Sequence, residues 1–132
     1  MTGLRLFGMG ALAGAALAAF TAPANAQPAG GSSNQCFLTR DIDSFNAPDS
    51  HTVYVRVGVS QFYRLDLMTD CLELPFRLSI GLETTPGEAW VCSPLDATVI
   101  YHTGGIPQRC PVKAIHKLSP DELAGLPKRD RP

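Results

Sequence analysis

Charge is scarce in this sequence. Only 17% of its 132 residues are Asp, Glu, Lys or Arg, and the formal net charge is −1. Without a dense basic surface the chain cannot bind nucleic acid non-specifically, because that affinity comes from neutralising phosphates. No heptad pattern and no collagen-like period is present, which excludes the fibrous classes. No two cysteines form C-x₂-C, the close spacing that zinc ligation favours. There is no G-x-S-x-G elbow for a serine hydrolase, and Gly104-Gly105 leads into no phosphate-binding pattern. None of His51, His102 and His116 stands at a ligand spacing from another His or Cys, so no metal and no cofactor is expected. The 45% of hydrophobic residues excludes disorder throughout, and the length allows one domain at most.

The hydrophobic residues are unevenly placed. Met1–Ala26 holds 17 of them and one charge, Arg5; the remaining 106 residues hold 42. An apolar run from Leu6 to Phe20 is followed by Pro23 and the small-residue site Ala24-Asn25-Ala26. A basic start, a short apolar stretch and an A-x-A site describe a secretory signal peptide cleaved near Ala26. The run is too short and too rich in Gly and Ala for a membrane anchor, which needs about 20 apolar residues. The mature chain is therefore expected to be periplasmic or secreted, with no membrane span and a net charge of −2.

Cys36, Cys71, Cys92 and Cys110 all lie beyond Ala26. In an oxidising compartment an even count at wide spacing reads as two disulfide bonds. An up-and-down meander would favour Cys36–Cys110 with Cys71–Cys92; the competing pairing is Cys36–Cys71 with Cys92–Cys110.

Residues 27–35 are mostly Pro, Gly, Ser and Asn and read as a flexible spacer before a domain at 36–127. Thr52 to Leu67 alternates apolar and polar residues with period two, the mark of a strand hairpin. A three-residue loop, Val59–Gln61, would pair Val57 with Tyr63, Val55 with Leu65 and Val53 with Leu67 on one apolar face. Gly58 suits a bulge or a positive φ. Further strands are expected at 37–45, 76–82, 89–92, 97–101 and 112–118, with His102–Arg109 as a loop. Ser119, Pro120 and Glu122 form a capping box that starts a two-turn helix stopped by Gly125 and Pro127. Residues 128–132 read as a charged, frayed tail. The fold expected is all-β: a small antiparallel barrel or sandwich of six to seven short strands with a short C-terminal helix.

The segments Cys36-Phe-Leu-Thr-Arg-Asp-Ile42, Thr52–Val59, Tyr63–Leu67, Asp70-Cys71, Ile80-Gly-Leu82, Trp90-Val-Cys92 and Cys110-Pro-Val112 carry a resemblance, closed by Ile115, Leu118, Ser119 and Pro120. The chain resembles a family of small exported proteobacterial proteins classed as a domain of unknown function. The resemblance implies an envelope location and a disulfide-bonded β-rich domain, and it brings no catalytic residues.

The residues themselves offer one candidate binding patch. The expected hairpin places Arg56 opposite Arg64, a like-charge pairing that a sheet disfavours. Tyr54 and Phe62 share that face and Arg77 lies near it. Guanidinium groups beside aromatics suit a carboxylate, phosphate or sugar. The reading preferred over this patch is that Asp66, or Asp41 and Asp43 from a neighbouring strand, neutralises the arginines. Taken together, these features indicate a non-enzymatic binding or structural module of the envelope, whose partner is another envelope protein or a small anionic ligand. The rival reading is an enzyme or enzyme inhibitor with its site in the 102–109 loop.

Overall fold

A computed structural model describes residues 36–85 and 88–132. The expected signal peptide, its cleavage site and the 27–35 spacer lie outside the described residues. Eight strands form: β1 (Phe37–Leu38), β2 (Ile42–Asn46), β3 (Thr52–Val57), β4 (Gln61–Leu67), β5 (Gly81–Thr84), β6 (Trp90–Val91), β7 (Ala97–Thr103) and β8 (Ile106–Lys117). One helix, α1 (Pro120–Gly125), follows. The main sheet has the order β2-β3-β4-β8-β7-β5, all antiparallel, and it curls into a half-barrel. β1 and β6 pair separately as a short ribbon. The fold is all-β, as expected, with one or two more strands than the sequence suggested.

Period two decides which side chains fill the half-barrel. Val53, Val55 and Val57 of β3, Tyr63, Leu65 and Leu67 of β4, Cys110 and Val112 of β8, and Ala97, Val99 and Tyr101 of β7 are all buried in one cluster. The β1–β6 ribbon covers this face, with the Phe37 and Tyr63 ring centroids 4.7 Å apart. Cys71 and Leu74, on the segment that leaves β4, also join the core.

The β3–β4 hairpin has three turn residues, but they are Gly58, Val59 and Ser60 rather than Val59–Gln61. Gly58 begins the turn with φ +58°, a conformation that costs a side-chain-bearing residue more than glycine. The register therefore shifts by two: Val57 faces Gln61, Val55 faces Tyr63 and Val53 faces Leu65. A two-residue shift keeps every side chain on its expected face.

Residues 102–109 are not a loop. β7 runs to Thr103, Gly104 and Gly105 make a two-residue turn with φ +56° and +83°, and β8 starts at Ile106. Two positive φ values in succession match the twist of the flanking strands, so the hairpin is tight. The segment named in the rival reading is thus a strand hairpin with a two-residue turn.

The disulfides are Cys36–Cys92 and Cys71–Cys110, which is neither pairing expected. The meander assumption failed in two places. β1 leaves the main sheet to pair with β6, with Phe37 facing Val91, and this sets Cys36 beside Cys92. β4 pairs with β8 instead of β5, and Met68 N–H donates to the Pro111 carbonyl. The chain leaving β4 therefore meets β8 at Cys110. The expected strand at 76–82 also shrinks: Leu74–Phe76 is a 3-10 turn and only Gly81–Thr84 pairs.

Candidate functional site

Four of the five patch residues come together on the outward face of the sheet. Cross-strand partners share a face, so the pairings define two rows. One row is Ser44, Arg56 and Phe62; the next is Asn46, Tyr54, Arg64 and His116. The two arginines are in adjacent rows and do not face each other directly. Arg64 Nε donates to Asp66 Oδ1 at 2.8 Å, and this bond, with the Asp66 charge, holds the Arg64 pKa above its ordinary value. Arg56 has no such partner. Its Nε and the Oγ of Ser44, directly across the ladder, are both buried and unpaired among the described residues.

Tyr54 points away from the core and yet is only 7% exposed. The C-terminal segment reaches this face. Leu118 N–H donates to the Phe62 carbonyl at 2.8 Å as the chain leaves β8. Glu122 Oε1 lies 3.0 Å from His116 Nε2. The Asn46 side-chain amide, beside Tyr54, donates to the Arg129 carbonyl. Residues 128–130 form a 3-10 turn rather than a frayed tail, and the Arg131 guanidinium donates to the carbonyls of Ala124 and Leu126. The capping box read from the sequence is present: Ser119 Oγ accepts from Glu122 N–H, and Glu122 accepts from Ser119 N–H at 2.7 Å. These bonds, the Ser119 N–H first and His116 second, pull the Glu122 pKa below its usual range. Sequence reading missed Ser44, Asn46 and Arg129. No local signal marked them, because the β2–β3 pairing and the Asn46–Arg129 bond are long-range.

Arg77 is elsewhere. It follows the Leu74–Phe76 turn, pairs with Glu73, and its guanidinium stands 5.7 Å from the Tyr101 ring centroid. Glu73 also accepts from Thr103 Oγ1 at 2.7 Å, which docks the segment onto β7. A cleft of about 300 Å³ opens there, lined by Asp70, Leu72, Glu73, Tyr101, Thr103 and Gln108. At its edge Asp70 Oδ1 takes the Ser50 hydroxyl at 2.9 Å and His51 Nε2 at 2.6 Å. The carboxylate is the middle member, and no Ser–His bond forms. A catalytic triad needs the imidazole between the other two groups, so this trio is an ordering contact. The same segment projects Phe76 and Leu78, which are 82% and 99% exposed.

Of the carboxylates noted in the sequence, Asp41 ends a 3-10 turn and Asp43 lies in the β2 bulge. Among the described residues no three His, Cys, Asp or Glu side chains gather to hold a metal ion. The outward face carries two guanidinium groups, Arg56 and Arg64, beside Tyr54 and Phe62, and Arg64 is already paired with Asp66.

No curated protein and no solved structure matches the chain. A family model does match, over residues 2–131: the chain belongs to a family of unknown function, DUF6491.

Proposed function

We propose that this protein is an exported, non-enzymatic β-module that binds an acidic segment of an envelope protein on the outward face of β2, β3 and β4. The observation that carries the reading is the buried, unpaired pair Arg56 Nε and Ser44 Oγ. A buried guanidinium nitrogen without an acceptor is costly, and native structures keep few such groups without a reason. Arg56 is paired with no carboxylate among the described residues, which leaves its charge for a carboxylate-bearing partner. Export rests on the leader pattern and on the two disulfide bonds, which persist in oxidising compartments.

Calorimetric titration with hexaglutamate tests the binding reading. Binding to the wild type that is lost in the Arg56→Ala, Arg64→Ala double variant supports it. Equal affinity in both proteins removes the patch from consideration. Binding of citrate or phosphate but not hexaglutamate replaces the protein partner with a small anion. N-terminal sequencing of protein recovered from the periplasm should start at Gln27.

A further inference from the structure

The cleft beside β7 has two walls, and a buried disulfide joins them. One wall is the inward face of β7 and β8 where it runs past the core. Period two carries that face from Val99 to Tyr101 and Thr103, and Gln108 shares it as the cross-strand partner of Tyr101. The other wall is the segment from Asp70 to Glu73, which Cys71 ties to Cys110, two residues beyond Gln108. Both cysteines are buried, so the walls are held in place from beneath. The space between them, about 300 Å³, is within the size range of small-molecule sites.

The polar groups of this cleft are oriented but only half used. Asp70 is fixed through Oδ1, which accepts from the Ser50 hydroxyl and lies 2.6 Å from His51 Nε2. Glu73 is fixed through Oε2, which accepts from Thr103 Oγ1 and pairs with Arg77. Asp70 Oδ2, Glu73 Oε1 and the Gln108 side-chain amide make no hydrogen bond among the described residues. Tyr101 is the strongest pointer. It is only 5% exposed, its ring belongs to the core with Arg77 5.7 Å over it, and its hydroxyl, which borders the cleft, has no partner among the described residues. Each carboxylate already has a basic neighbour, so the cleft calls for no added cation. What remains is hydrogen-bonding capacity of both kinds, which a sugar hydroxyl matches because it donates and accepts at once. Leu72, largely exposed, adds an apolar edge for the C–H face of a sugar ring.

We propose that this cleft is a second binding site, separate from the arginine face, and that it takes a neutral saccharide. Sugar hydroxyls donate to the unused oxygens of Asp70 and Glu73 and bond the Tyr101 hydroxyl and the Gln108 amide. The fixed walls reduce the ordering cost of binding.

The test is an amide NMR titration of the disulfide-bonded protein with cellobiose, maltose and the disaccharide of N-acetylglucosamine, and in parallel with putrescine. The expected result is saturable shifts at residues 70–73 and 101–108 with at least one disaccharide. Tyr101→Phe, which keeps the ring in the core and removes only the hydroxyl, should weaken that binding about tenfold, as should Gln108→Ala. The Arg56→Ala, Arg64→Ala variant should bind the sugar as the wild type does. No saturable shift with any of the three sugars overturns the proposal, and so does sugar binding that both cleft variants leave unchanged. Saturable shifts with putrescine alone overturn it in favour of an amine site. If Tyr101→Phe loses the dispersed spectrum of the folded protein, Gln108→Ala alone is judged by the same outcomes.

Discussion

Leu65 is fully buried at the centre of the core, between Val53 on β3 and Ile115 on β8. A Leu65→Ala change removes its contacts and leaves a cavity that the flanking ladders hold open. It should cost about 2–5 kcal/mol, read as a lower urea midpoint. At Gly105 the backbone decides instead of the packing. Its φ is +83°, and a Cβ there would meet open space, so Gly105→Val carries backbone strain without a clash. The expected loss is about 1–2 kcal/mol on the same urea curve. Leu78, 99% exposed, offers the contrast: Leu78→Ser should leave the urea midpoint within about 0.5 kcal/mol of wild type.

At the scale of elements, the C-terminal helix is the most responsive part. Glu122 has a lowered pKa, so its contribution is present above the ordinary carboxylate value and is lost as pH falls through the lowered one. Arg64, which faces His116 across the ladder, stays charged throughout this range, since its own pKa is raised. Protection factors over 119–126 should fall on acidification while those of β4 hold, and Glu122→Ala should start low and stay flat. Equal protection of residues 119–126 at neutral and acid pH in the wild type would count against this. The helix and its cap were legible in the sequence because S-P-x-E states its chemistry locally. The facing of β3 and β4 was legible because period two survives a register error of two. The register itself was not, since it turned on whether Gly58 closes the strand or opens the turn. The β7–β8 hairpin was hidden by Pro107, Pro111 and two glycines, which read as loop. Pro111 is tolerated because its carbonyl still serves, accepting from Met68 N–H beside the bulge. The patch residues were legible as types; the docking of the C-terminal segment on Asn46 and His116 was not, because a short polar tail has no periodicity to announce where it docks.

For the whole molecule, the organising fact is the seam between β4 and β8. It joins two local hairpins, β3–β4 and β7–β8, whose facing residues are distant in sequence, as with Leu65 and Ile115. Strand order of this kind cannot be read from local pattern, and the disulfide pairing inherits the same long-range uncertainty. Each disulfide contributes on the order of 2–4 kcal/mol by limiting the unfolded chain, a large share of the stability of so small a domain. Cys36 and Cys71 precede the midpoint of the described chain, Cys92 and Cys110 follow it, and both bonds cross between the two groups. A single backbone cut anywhere between Cys71 and Cys92 therefore yields a two-chain protein that is still one covalent molecule, with a hairpin in each fragment and the seam between them. After limited proteolysis in that stretch, the protein should run as one band without reductant and as two with it. The nicked form should survive in a protease-rich setting for as long as that setting stays oxidising.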